Sequence, residues 1–122
     1  MESTHKDIVV VSRNINLIDF LTIELAPANI EVHGAFDERR AEQFSNMFHP
    51  QLIVVDDTPP SLESTEVVTD LKKEPEASHS QIVILGDSTE RLNEFSAQQK
   101  VPIVLRNAPL PQLVSRIKEF CY

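Results

Sequence analysis

The chemistry of this chain concentrates where an apolar run breaks off at a carboxylate: Leu52-Ile-Val-Val-Asp56, followed by Asp57, Thr58, Pro59 and Pro60. A buried strand there delivers its last side chain, Asp56, into a loop crevice. Open α/β sheets place their ligand chemistry at the carboxyl ends of parallel strands, in such crevices. Asp57 offers a second carboxylate. Neighbours on a strand point to opposite faces, so the pair is no metal clamp unless the backbone turns, and Asp57 is expected to be solvated or to cap the next turn. His5, His33, His49 and His79 show no ligand spacing with one another or with Cys121, which argues against zinc. Cys121 is a lone thiol near the end of the sequence and cannot form an internal disulfide. With no Gly-rich phosphate loop and no Gly-x-Ser-x-Gly elbow, nucleotide hydrolysis and serine-hydrolase chemistry have no candidate residues.

The elements that position Asp56 are legible from periodicity. Ile8-Val-Val-Val11, Leu52-Ile-Val-Val55 and Ile82-Val-Ile-Leu85 are short, β-branched runs of the kind covered on both faces. Ile103-Val-Leu105 and the weaker Ile30-Glu-Val-His-Gly34 bring the expected strands to five. Helical spacing fills the gaps. Asn14 or Asn16 caps a face of Leu17, Ile18, Leu21 and Leu25; Asp37 opens a second helix that turns Ala41, Phe44 and Met47 or Phe48 inward. A third runs from about residue 62 to 73, Ser88 caps a fourth carrying Leu92 and Phe95, and a last begins near Pro111. Regular alternation of strand and helix predicts a parallel five-stranded sheet covered by five helices. The 122 residues, unbroken in character, are expected to form one domain, 1–122.

Nineteen acidic residues against eleven basic ones give a net charge of −8, which opposes direct binding to nucleic acid or anionic membranes. The amino terminus has no apolar signal region and no apolar run is long enough to span a bilayer, so a soluble, cytoplasmic protein is expected.

With these elements in place, the residues from about Asp7 to Phe120 resemble the receiver domain of two-component response regulators. His49-Pro50-Gln51-Leu-Ile-Val-Val-Asp56 is similar to the Pro-Asp-Leu-apolar-apolar-apolar-Asp strand of that family, and Pro60-Ser-Leu-Glu-Ser64 falls where receivers carry Pro-x-Met-Asp-Gly. The resemblance implies a flavodoxin-like, doubly wound α/β fold and a phosphoacceptor position at Asp56. It also implies an acidic pair after the first strand, a hydroxyl after the fourth, an aromatic switch on the fifth and a lysine after it. Aligned by strand ends, those positions hold Ser12 and Arg13, Gly86, Ile103 and Arg106, and Asn107 replaces the proline that follows the lysine. Only the phosphoacceptor is intact.

Mg²⁺ wants near-octahedral oxygen ligands and the negative charge that an acidic pair supplies, whereas Ser12 offers one neutral oxygen. Gly86 has no hydroxyl to hold a phosphoryl oxygen, and Ile103 has no polar tip to move between buried and exposed states. Arg13 is either a solvated loop residue or a built-in cation that pairs with Asp56 in bidentate fashion. The second is favoured because charge reversal and a retained acid make sense together. Arg106 either keeps the charge of the family lysine or lies on the surface.

The function expected is therefore that of a pseudo-receiver: a non-enzymatic protein-interaction module with no cofactor and no catalytic or metal residues. The alternative is a working receiver that accepts phosphate on Asp56 from a histidine kinase, with Mg²⁺ held weakly by Ser12, Asp57 and water. A third reading, a small flavodoxin-like enzyme or ligand binder, lacks a second acid-base group. The partners expected are a signalling protein, such as a histidine kinase or an output domain, and a second copy of the chain. Receivers commonly associate through the fourth helix, fifth strand and fifth helix, which here include Glu90, Arg91, Glu94, Arg106, Arg116 and Lys118.

Overall fold

The computed structural model of the chain describes residues 5–57, 64–74 and 80–121. Five strands, β1 (Lys6–Val11), β2 (Ile30–Ala35), β3 (Leu52–Asp56), β4 (Gln81–Gly86) and β5 (Ile103–Leu105), alternate with helices α1 (Ile15–Leu25), α2 (Glu38–Phe48), α3 (Ser64–Lys73), α4 (Glu90–Gln99) and α5 (Leu110–Cys121). The strands form one parallel sheet in the order β2-β1-β3-β4-β5. The order reverses between β1 and β3, and the crevice outside the carboxyl ends of those two strands is where a doubly wound sheet opens.

The apolar runs are buried on both faces, as their continuity requires. Ile8, Val10, Leu52, Val54, Val83 and Leu85 pack with Leu21 and Leu25 of α1 and with Leu113 and Ile117 of α5. Val9, Val11, Ile53, Val55, Ile82 and Ile84 pack with Ala41, Val68, Leu71 and Leu92 from α2, α3 and α4. Cys121 belongs to the first of these layers and is 4% exposed. Burial raises the pKa of its thiol, which makes it a core residue with little reactivity.

Asn14 caps α1 by accepting from the Leu17 amide, and Asp37 caps α2 by accepting from the Arg40 amide. The fourth helix differs from expectation: Thr89, not Ser88, accepts from the Leu92 amide and caps it. Of the alternatives Met47 and Phe48, Phe48 turns inward onto the His33 ring while Met47 is 65% exposed. The last helix begins at Leu110, one residue before Pro111. The third was expected from about residue 62, a start that lies outside the described residues, as do Pro60 to Glu63 of the motif and His79. Both glycines sit in or at the end of strands, so the left-handed backbone positions fall to Asn29, His49 and Lys100.

Glu38, in the first turn of α2, hydrogen-bonds to Asp70 of α3. Burial, that hydrogen bond and the negative charges of Asp70 and Glu42 push its carboxyl up to about 7 from the ordinary value of 4.5. The native state then holds a proton over an interval in which the unfolded chain has released it. This contribution to stability is complete below the unfolded value and is lost as pH rises toward the folded one. Glu38 is partly exposed, so after solvent screening the loss is about 1 kcal/mol. Glu38→Gln should abolish that slope, a result read from urea midpoints at about pH 5 and about pH 8.

Candidate functional site

Strand alternation divides the two adjacent carboxylates. Asp56 shares the face of Leu52 and Val54 and looks toward α1 and α5; Asp57 turns to α3 and α4. Asp56 is 2% exposed. Its Oδ2 accepts a hydrogen bond from Ser12 Oγ at 2.7 Å, and Oδ1 lies 2.9 Å from Arg106 Nη2. The Ser12 hydroxyl, fully buried, also accepts from the Asn14 amide at 3.0 Å, so the start of α1 is tied through it to the end of β3. Arg106 follows β5 and donates through the same Nη2 to the carbonyl oxygens of Asp57 and Leu85. Its Nε is buried without a hydrogen-bond partner among the described residues. A cleft of roughly 350 Å³ opens beside this ion pair, with Leu17, Phe20, Leu110 and Leu113 among its walls.

Arg13 does not reach Asp56. Its side chain is exposed and its Nε donates to the Phe36 carbonyl oxygen at 3.3 Å. The cation on Asp56 is Arg106, and contact through one nitrogen replaces the expected bidentate fork. Asp57 is not solvated: it is 8% exposed, accepts from Ser64 Oγ at 2.6 Å and lies 3.4 Å from Arg91 Nη2, and the turn it was expected to cap lies outside the described residues. With its oxygens directed there, Asp57 does not join Ser12 in a metal site. Ser64 and Arg91 escape sequence reasoning as partners because nothing local links them to the residue that follows β3.

Three comparisons bear on this arrangement. No family model matches the chain. It is 32% identical over 92 residues to the probable transcriptional regulator ycf27 of Cyanophora paradoxa, an alignment that takes in 75% of this chain and 38% of that protein. The chain thus spans well under half the length of that relative. Among solved structures it superposes on the chemotaxis response regulator CheY4 of Vibrio cholerae with a TM-score of 0.81, at 16% identity over 96% of this chain and 99% of that one. On the phosphorylated cyanobacterial phytochrome response regulator RcpA the TM-score is 0.75, at 25% identity over 95% and 91%.

The chain has the receiver-domain fold.

For a chain of this fold its crevice is unusual in the donors it offers. Where the family resemblance calls for an acidic pair that draws in Mg²⁺, one position is the Ser12 hydroxyl, already donating to Asp56, and the other is an arginine turned outward. The oxygens of Asp56 face a hydroxyl hydrogen and a guanidinium, so the described residues do not fit the ion. Gly86 ends β4 against Asp57 and Leu92, and a Cβ added there would stand 3.1 Å from Asp57 Cβ and 3.1 Å from Leu92 Cδ1. A hydroxyl residue at the end of β4 would therefore need Asp57 and Leu92 to give way by a few tenths of an ångström. Ile103 is partly buried against the core on the α4 side. The cations expected on the outer α4–β5–α5 face are largely engaged within the domain: Arg91 and Arg106 turn to the two aspartates, and Arg116 pairs with Glu119.

Proposed function

We propose that this receiver fold serves as a pseudo-receiver, a protein-interaction module of a two-component signalling pathway that works without Mg²⁺-dependent phosphorylation and is not itself an enzyme. One observation carries the reading: both oxygens of Asp56 are engaged from within the chain, by Ser12 Oγ and Arg106 Nη2. Arg106 keeps on Asp56 the positive charge of the lysine that the resemblance places after the fifth strand, while the Ser12 hydroxyl, engaged by the same carboxylate, offers no charge to draw in a metal. Three large apolar side chains at the same end of the sheet, Ile15 before the first turn of α1 is complete, Phe36 after β2 and Leu110 at the start of α5, are each more than half exposed. Exposed apolar area beside the crevice suits recognition of a protein surface.

The partner in this reading is a kinase or an output domain in the cytoplasm, and the chain acts as one domain. The name of the curated relative, a probable transcriptional regulator, fits an output in transcription. A net charge of −8 makes these 122 residues themselves a poor surface for contact with DNA. Self-association through α4, β5 and α5 would rest on the apolar Leu105 with the exposed Lys100 and the half-buried Lys118, and would weaken with salt only so far as these charges contribute.

Intact mass after incubation with Mg²⁺ and acetyl phosphate tests the proposal. No change is expected. Gain of one phosphoryl group, lost in Asp56→Asn, would sink it and favour the working receiver.

A further inference from the structure

At the opposite end of the sheet from Asp56, β1 and β2 enter side by side. The register pairs Asp7 with Glu31 and Val9 with His33. Strand alternation puts Glu31 and His33 on one face of β2 and aligns His5, just before β1, with Asp7. Four side chains that lie in two short motifs, His-x-Asp and Glu-x-His, so converge. His5 Nε2 is 3.1 Å from Asp7 Oδ1 and 3.6 Å from Glu31 Oε1. His33 Nε2 is 2.9 Å from the same Asp7 oxygen and 3.9 Å from Glu31 Oε2. The His33 ring is stacked on Phe48 of α2, with centroids 3.7 Å apart and planes 11° from parallel, and its side chain is only 9% exposed. Its Nε2 is therefore held toward Asp7, while His5 and Glu31, about half exposed, leave the cluster open to solvent.

We propose that His5, Asp7, Glu31 and His33 form a binding site for a divalent transition ion of the zinc class. The donor set is two imidazoles and two carboxylates. Zinc takes nitrogen and oxygen ligands at about 2.0–2.2 Å in a tetrahedron, which sets neighbouring ligand atoms roughly 3.3 Å apart. Asp7 Oδ1 lies 3.1 Å from His5 Nε2 and 2.9 Å from His33 Nε2, near that spacing. The 3.6 and 3.9 Å contacts of the two histidines with Glu31 reach its two different oxygens, so His33 joins as fourth ligand by a small turn of the exposed Glu31 carboxylate. The ligating atoms of His5, Asp7 and Glu31 all fall within 4.8 Å of one another. Two imidazoles select a borderline ion over Mg²⁺ or Ca²⁺, and two carboxylates balance its charge. Without an ion, both ring nitrogens compete for the single oxygen Asp7 Oδ1; an ion among them gives each its own bond. The site ties the edge strand β2 to β1 and, through the His33–Phe48 stack, to the end of α2. Histidine spacing along the chain concealed this, because His5 and His33 meet only through the pairing of two strands.

Calorimetric titration of the full chain with zinc chloride, and optical titration with Co²⁺, test the site. One saturable ion per chain is expected, and Co²⁺ should develop the intense visible band of four-coordination. His5→Gln and Glu31→Gln alter exposed side chains and should each weaken zinc at least about tenfold, as loss of a direct ligand must exceed the usual loss of a supporting group. Circular dichroism of these variants confirms that the fold is kept. The site is refuted by absence of saturable uptake, by a Co²⁺ spectrum that remains that of the aqueous ion, or by zinc affinity unchanged in the His5→Gln, Glu31→Gln double variant. Uptake abolished by Asp56→Asn would place the ion in the crevice and equally overturn it.

Discussion

Arg106→Ala is expected to destabilise the fold by about 2–3 kcal/mol, since removing one partner of a buried ion pair strands the other in a poorly solvated place. Asp56 is 2% exposed and Arg106 Nη2 is 2.9 Å from its Oδ1. The arginine side chain is 38% exposed, so water reaching the gap keeps the loss below that of a fully enclosed pair. Asp56→Asn should cost about 1 kcal/mol, because it keeps the shape of the side chain and leaves a guanidinium that solvent can serve. The double variant should lose less than the sum of the two. Arg13→Ala, at an exposed position, should stay within about 0.5 kcal/mol of the parent. Urea unfolding of the four variants decides between the arginines: a costly Arg13→Ala beside a neutral Arg106→Ala would show that the pairing has been assigned to the wrong one.

Ser12→Asp should be the most damaging single change in the crevice at neutral pH, by about 3 kcal/mol in metal-free buffer. The Ser12 side chain is fully buried and its oxygen lies 2.7 Å from Asp56 Oδ2. Two carboxylates at about 4 Å repel by about 4 kcal/mol at an effective dielectric of 20, and Arg106 offsets part of that. Acid should shrink the penalty, because a shared proton removes one of the two charges. Millimolar Mg²⁺ should return stability to the variant, since an ion that binds only the folded state shifts the equilibrium toward it. The same Mg²⁺ should leave the urea midpoint of the parent unchanged. A parent midpoint that rises with Mg²⁺ would contradict the pseudo-receiver reading.

Much of this could be read along the chain. Continuous β-branched runs specified strands buried on both faces, and their alternation with amphipathic segments specified a parallel sheet, because burial and periodicity are local properties. The cap at Asp37, and the choice of Asn14 or Asn16 for the first helix, were legible for the same reason: a capping side chain meets an amide three residues on, as Asn14 and Asp37 do. Asp56 could be placed at the mouth of the crevice because a strand that ends on a carboxylate has nowhere else to put it. The opposite orientations of Asp56 and Asp57 followed from pleating alone. The choice of Thr89 over Ser88 as a cap was a local matter too, but one of a single residue that propensity does not resolve.

What no stretch of sequence contained was the choice of partner for each charge. Arg13 stands one residue from Ser12, yet its chain turns out to Phe36, while Arg106, fifty residues from Asp56, reaches it from the end of β5. Ser64 and Arg91 enclose Asp57 from two different helices, and the His5, Asp7, Glu31 and His33 cluster exists only in the register of β1 on β2. The sequence by itself determined the elements, the fold class and the position of Asp56, since each is set by patterns within one turn or one strand. Only the tertiary structure decided which cation neutralises which carboxylate, because that depends on the sheet order that brings strand ends together and on how far each side chain reaches across them.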